Sequence, residues 1–345
     1  MEGHSGVLVL ALIASAGAWL ALSVGAVAGR VAFDRRSRFA QEQPPPSGRR
    51  ARERLLKRAS SHRTEHGKWR RISALRTLVH ARELRTRTLL RRALVDKDSD
   101  VVGAAVQLLG DLGDGWAVGE LIETLRKGSY PRSRVATQLD TLMPRVGRKL
   151  LRLLRDPDPA VRFWAATLLG RCPRFAAPRL VLLADDPDAN VRAAAVESLG
   201  ERGEENALAT VCRRLADGEW FVRVHACRAA GRLGGLEAAP LIAPALRDER
   251  WWVRTAAKDA LRDLGPAVAG VLIPYLDDQD AFARNGAAEV LQDVGFVDAL
   301  SRHGMEGELL ERILLAGGVG LRDAALQRAA DRPAADEQTL GRVAS

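Results

Sequence analysis

Residues 154–170 read LRDPDPAVRFWAATLLG, and this stretch decides how the 345-residue chain folds. Asp156 is a residue type that caps helices, and Pro157 would fall at the first helical position, where its missing N–H costs nothing. Val161, Ala165, Leu168 and Leu169 recur at three- and four-residue spacing and so share one apolar helical face. Gly170 then terminates the helix. A second apolar run at 176–184 leads into another acidic turn, DDPD at 185–188. The unit is therefore helix, turn, helix, turn.

The same unit recurs along the chain. An Asp is followed six residues later by an Arg at Asp156–Arg162, Asp186–Arg192, Asp217–Arg223, Asp248–Arg254 and Asp278–Arg284, and Asp96–Val102 is a decayed copy. The arginines step by 30, 31, 31 and 30 residues, and Val102 lies 60 before Arg162. Self-similarity at this period marks stacked supersecondary units that each contact only their neighbours. Weaker copies extend the grid. WRRISAL at 69–75 puts Arg70 in the arginine column, 32 residues before Val102; Arg132 sits on the grid without its Asp; and LRDAAL at 321–326 is a last copy, after an irregular insertion around 302–320.

The pattern D-P-D-x-x-V-R-x-x-A-A-x-x-L-G, almost whole at 156–170 and again at 186–200, resembles the HEAT-repeat family, in the short bacterial variety named after phycobilisome lyases. The resemblance implies an all-α fold, a right-handed α-solenoid of about nine helical hairpins over residues 51–330, clearest at 151–295. It also implies that the five Asp/Arg pairs form a hydrogen-bonded ladder between adjacent repeats. Elementary chemistry agrees, because a guanidinium fork at a helical interface needs paired acceptors and a carboxylate supplies them. These arginines are therefore read as structural.

Charge is unevenly spread. The chain carries +10 overall, but residues 30–92 hold 20 Lys and Arg against 5 Asp and Glu, which leaves residues 93–345 at −4. A nucleic-acid-binding solenoid would carry basic residues along its own surface, so that partner is disfavoured, with an adaptor role for the basic 30–92 segment as an alternative. The three cysteines, Cys172, Cys212 and Cys227, are an odd number without a C-x-x-C pair and read as small buried thiols in a reducing compartment.

Residues 3–29 contain no formally charged side chain, and 7–28 are continuously apolar in character. About 20 such residues cross a bilayer as one helix, so the solenoid is expected to follow a transmembrane helix at 7–29 and a six-residue tail. Downstream come Arg30, Arg35, Arg36 and Arg38 and a Pro-rich linker, QEQPPPSGRR, which closes the 30–50 segment. The basic flank puts the carboxyl-terminal side in the cytoplasm, at the inner membrane, and those four arginines would meet anionic headgroups. Residues 331–345 read as a disordered tail. Arg outnumbers Lys 47 to 6, as in a high-GC bacterium.

Against this grid the aromatic residues stand out, since they make up only 5% of the chain. The two positions before the column pair, which is Val-Arg in four copies and Ala283-Arg284 in the fifth, read Pro159-Ala160, Ala189-Asn190, Trp220-Phe221, Trp251-Trp252 and Ala281-Phe282. Equivalent positions align along a solenoid, so Trp220, Phe221, Trp251, Trp252 and Phe282 form one stripe near the helix starts. Such a stripe either pads the repeats or anchors a protein partner, with Glu219, Glu249 and Arg250 as a polar rim.

Catalytic chemistry is not apparent in the sequence. His62 and His66 stand four apart, but no Cys or carboxylate completes a metal set, and no metal or cofactor is expected. HEAT-like deoxyhypusine hydroxylases use His-Glu dipeptides for iron, whereas this chain has only the reverse, Glu65-His66. GGVG at 317–320 lacks the Gly-Lys-Ser/Thr that would complete a phosphate loop. A lyase activity rests on the family's name alone. The expectation is a membrane-anchored scaffold that binds a protein, with a tetrapyrrole- or protein-modifying lyase as the alternative.

Overall fold

The computed structural model of the chain describes residues 49–317, apart from 60–64, 84, 144, 172–175, 204 and 303–306. The described residues are helical and contain no strand. Their packing divides into two compact units, with the boundary between Leu142 and Met143. That boundary falls within the span expected to be one array, just after the poor Arg132 copy. The first unit runs α1 (Arg49–Ala59), α2 (Glu65–His80), α3 (Thr86–Ala93), α4 (Ser99–Leu112), α5 (Gly115–Lys127) and α6 (Arg132–Thr141). Helix α1 thus begins inside the segment read as linker.

The second unit opens with α7 (Gly147–Leu150), followed by α8 (Pro159–Leu169), α9 (Ala177–Leu183), α10 (Ala189–Arg202) and α11 (Leu208–Arg213). It continues with α12 (Trp220–Gly234), α13 (Ala239–Ile242), α14 (Trp251–Asp263), α15 (Ala269–Leu272), α16 (Ala281–Asp293), α17 (Phe296–Arg302) and α18 (Glu308–Ala316). Helix α18 occupies the region expected to be an irregular insertion; its acidic first turn, Glu308 and Glu311, favours a helix start. The 321–326 copy, the 7–28 apolar run and Arg30, Arg35, Arg36 and Arg38 lie outside the described residues. Among those described, no helix is long and apolar enough to cross a membrane.

The helices that hold the column arginines Arg162, Arg192, Arg223, Arg254 and Arg284, namely α8, α10, α12, α14 and α16, pack side by side in succession. Their shared face is built from small residues: Val161, Ala165, Val191, Ala195, Val222, Ala226, Val253, Ala257, Ala283 and Ala287 are all buried. Behind them, the second helix of each hairpin is short, and in three it tightens directly into a 3₁₀ turn before the next Asp, at Arg214–Ala216, Ala243–Arg247 and Ile273–Asp277. Pro244 and Pro274 account for two of these breaks, because neither residue can donate to a continuing α-helix.

Helix α8 ends at Leu169 with Gly170 as its C-cap, as expected, but not through a left-handed turn. The Gly170 backbone is right-handed, at φ −54° and ψ −32°. A Cβ there would lie 2.7 Å from the Ser198 hydroxyl, and one at Gly200 would lie 2.6 Å from the Ala229 Cβ. These glycines let successive helices approach closely.

Candidate functional site

The turns between repeats carry two acids with separate roles. Asp96, Asp156, Asp186, Asp217, Asp248 and Asp278 each accept, at 2.9–3.1 Å, the backbone N–H two residues on. The next helix is capped by the second acid, since Asp98, Asp158, Asp188 and Asp280 accept N–H groups of the first turn. This corrects the reading of Asp156 and Pro157: the cap is Asp158, and Pro159 stands at the start of the helix. In α12 and α14 the capping place is taken by Glu219 and Arg250, whose side chains make no capping bond.

Freed from capping, the first acid turns to the preceding repeat. Arg162 donates from Nε and Nη2 to both Asp186 oxygens at 2.8 Å, and Arg192 does the same to Asp217 at 2.8 Å. Arg223 reaches Asp248 at 2.7 and 2.9 Å. The remaining amine of each arginine donates to two carbonyls of its own turn, Asp156 and Pro157 for Arg162, and Asp217 and Gly218 for Arg223. An Asp and the Arg six residues later are thus joined through the backbone, and the carboxylate belongs to the neighbour.

Burial alone would push the Asp217 carboxyl up. The hydrogen bonds and charge of Arg192, with the Glu219 N–H, outweigh it and hold the group below the usual carboxylate range. Asp248 is lowered in the same way, with Arg223 and the Arg250 N–H opposing its burial.

The ladder breaks at its fourth joint. Arg254 keeps the carbonyls of Asp248 and Glu249 at 2.7 and 3.1 Å, but its guanidinium lies 4.0 Å over the Phe282 ring and does not reach Asp278. Asp278 is engaged by Arg247, whose hydrogen bond is the main influence holding that carboxyl low. The expected Arg254–Asp278 rung is therefore absent, and Arg247 takes its place on Asp278. Arg284, in the last copy, bonds the carbonyls of Asp278 and Gln279. A further rung appears in the first unit, where buried Arg71 meets Asp96 at 3.1 Å. Arg71, and not Arg70, occupies the ladder column; its distance of 31 residues from Val102 fits the grid better than 32.

The aromatic residues face outward. Trp251, Trp252 and Phe282 are 55%, 58% and 59% exposed and Trp220 37%, with Phe221 half-buried. Each pair meets edge to face: Trp220 and Phe221 at 5.8 Å between centroids, Trp251 and Trp252 at 4.6 Å. Both pairs begin helices that lack side-chain caps. Adjoining them are exposed Glu219 and Glu249, and Arg250 contacts Glu249 at 3.4 Å.

Other aromatic contacts carried no signal in the repeat columns. Phe163 packs edge-on against Trp164, and Trp116 lies beneath the guanidinium groups of Arg87 and Arg91 in the first unit. Cys227 is fully buried, and its thiol is pushed up to about 12 by burial, which suits a core position. Cys212 is half-buried, and Cys172 lies outside the described residues, as does His62. Among the described residues no group of His, Cys, Asp and Glu is placed to hold a metal ion.

A model of HEAT repeats matches residues 147–223 and 214–292, which contain the Arg162, Arg192 and Arg223 rungs. No curated protein matches the sequence. Among solved structures, Kap121p bound to RanGTP superposes with a TM-score of 0.51 at 12% identity, over 81% of this chain and 37% of that one. The complex of CpcE and CpcF of phycocyanin lyase from a Nostoc species gives 0.38 at 22% identity, over 67% of this chain and 93% of that one. Human deoxyhypusine hydroxylase gives 0.30 at 20% identity, over 71% and 96%. The likeness to Kap121p is one of fold, and the other two superpose too loosely to support an inference. The described residues form an all-helical, HEAT-repeat, solenoid-like fold.

Proposed function

We propose that this chain is a membrane-tethered HEAT-repeat scaffold that binds a protein partner along the row Trp220, Phe221, Trp251, Trp252 and Phe282. The observation that carries the reading is the exposure of Trp251, Trp252 and Phe282, each more than half open to solvent, at equivalent helix starts in adjacent repeats. Rings that served only to pad the repeats would be covered by them. Exposed aromatic clusters are the residues from which interface hot spots are built. The tether is the apolar run at 7–28, with Arg30, Arg35, Arg36 and Arg38 against anionic headgroups on the cytoplasmic side of the inner membrane.

The test is affinity purification of the full chain from membranes, with partners identified by mass spectrometry. Trp251→Ala with Trp252→Ala should release the specific partner while the helical circular-dichroism signal stays unchanged. Removal of residues 7–29 should move the chain out of the membrane fraction. A partner retained at full yield by the double variant would refute the surface, and a chain still sedimenting with membranes after the deletion would refute the tether.

A further inference from the structure

Resting on that reading of the aromatic shelf as a partner surface, we propose that its occupant is an extended basic polypeptide segment. Its Lys or Arg cations would stack on Trp220, Trp251 and Trp252 and pair with Glu219 and Glu249. The shelf itself contains a template for this contact. The Arg254 guanidinium lies 4.0 Å from the centre of the Phe282 ring, so the position two before the column arginine already holds a cation in one repeat. In the preceding repeat the same position is Trp252, a stronger partner for cations than Phe. The arginine that could cover it, Arg223, is instead held on Asp248 at 2.7 and 2.9 Å. The Trp252 ring, 58% exposed, is therefore left facing solvent by its own chain.

The acids around the shelf point the same way. Glu219 occupies a capping position without capping, unlike Asp158, Asp188 and Asp280, so its carboxylate is turned outward. The Glu249 side chain is 77% exposed. Arg250 offsets part of this charge, yet residues 93–345 carry a net −4. Rings interleaved with exposed carboxylates suit a segment that brings cations, whereas the apolar face of a helix would cover Glu219 and Glu249 without adding a cation.

Spacing sharpens the proposal. Adjacent helices stand roughly 8–10 Å apart, and an extended segment in the polyproline II form rises about 3.1 Å per residue with three residues per turn, so every third side chain returns to the same face. Cations three residues apart therefore meet successive shelves.

The experiment uses the full chain in lipid nanodiscs and the synthetic peptide Arg-Ser-Gly repeated four times, with affinity measured by tryptophan fluorescence. Controls are a peptide of the same composition with its arginines contiguous, and a Leu-Ser-Gly repeat. The three-residue spacing should bind tightest, at least tenfold tighter than the Leu peptide, and weaken with salt. Trp251→Ala with Trp252→Ala, and separately Glu219→Gln with Glu249→Gln, should each lower affinity about tenfold or more; the second pair preserves shape and so reports charge. Absence of binding by the Arg peptide, equal binding by the Glu→Gln pair, or tighter binding by the Leu peptide would each overturn the basic occupant. If the tryptophan variants lose the membrane partner yet bind the Arg peptide unchanged, the partner surface stands and the basic occupant fails. If they lose the peptide but keep the partner, the partner surface itself fails.

Discussion

Replacing Arg223 by Ala removes four hydrogen bonds: two to Asp248 at 2.7 and 2.9 Å and two to the carbonyls of Asp217 and Gly218 at 2.9 and 3.3 Å. The Asp248 carboxylate, whose side chain is 12% exposed, keeps the Arg250 N–H at 2.9 Å but loses its only bidentate partner. Breaking one side of a buried pair costs about 3–5 kcal/mol, and the partial exposure of both groups puts this joint near the lower end. Arg254→Ala removes two carbonyl bonds and the stacking on Phe282, about 1–3 kcal/mol together.

The coupling separates the two joints more cleanly than the single costs. A double-mutant cycle across Arg223 and Asp248 should give about 2–3 kcal/mol, and the same cycle across Arg254 and Asp278 should fall within about 0.5 kcal/mol of zero. Repeat arrays need not unfold as one unit, so native-state hydrogen exchange is the appropriate assay, read at amides of α12, α14 and α16 in the full chain. Equal coupling at the two joints would show that the ladder continues through Arg254, and the break described above would be wrong.

Acid should loosen the same joints. Asp217 and Asp248 have folded-state values lowered from the usual carboxylate, so their stabilisation is complete above the unfolded value of about 4 and is lost as pH falls through the folded values. Thermal melts from pH 7 downward should drop most steeply below about pH 4–5. A smaller decline precedes this, as half-buried His225, held below the ordinary histidine value by burial, is forced to take up a proton. Asp217→Asn should reduce the steep drop. Gly200→Ala places a Cβ 2.6 Å from the Ala229 Cβ, so overpacking should cost about 1–3 kcal/mol by denaturant titration. Gly203→Ala, with open space around it but φ at +63°, should cost about 1 kcal/mol from backbone strain alone. Cys227 should resist iodoacetamide in the native state while Cys212 reacts measurably, as peptide mapping would show.

The repeat period and the alignment of the rings at equivalent places near the helix starts were legible in the sequence because each depends on spacing along the chain. The helix start, however, lies two residues beyond the place read from Asp156, and spacing leaves the outward direction of the rings open. What spacing could not decide was competition between side chains. Asp156 and Asp158 are both able to cap, and only the packed turn shows that the second does so while the first accepts the N–H of Asp158. Asp278 has two candidate arginines in the sequence, and the structure gives it Arg247 while Arg254 lies over the Phe282 ring. The first-unit rung escaped notice because Trp69-Arg70-Arg71 offers two arginines and no Val-Arg pair to fix the register.

Each period supplies one half of a joint at either end: an Asp whose carboxylate faces backward and an Arg whose fork faces forward. A whole period inserted or excised anywhere between Asp186 and Asp248 would therefore present the same two halves to one another. Excision of residues 187–217, one 31-residue step, would carry Asp186 directly to Gly218 and leave Arg162 still facing Asp186 and Arg223 still facing Asp248. Genes built on such a period can lengthen or shorten by duplication and loss without a compensating change elsewhere, so repeat number can drift freely while the chemistry of the joint stays fixed.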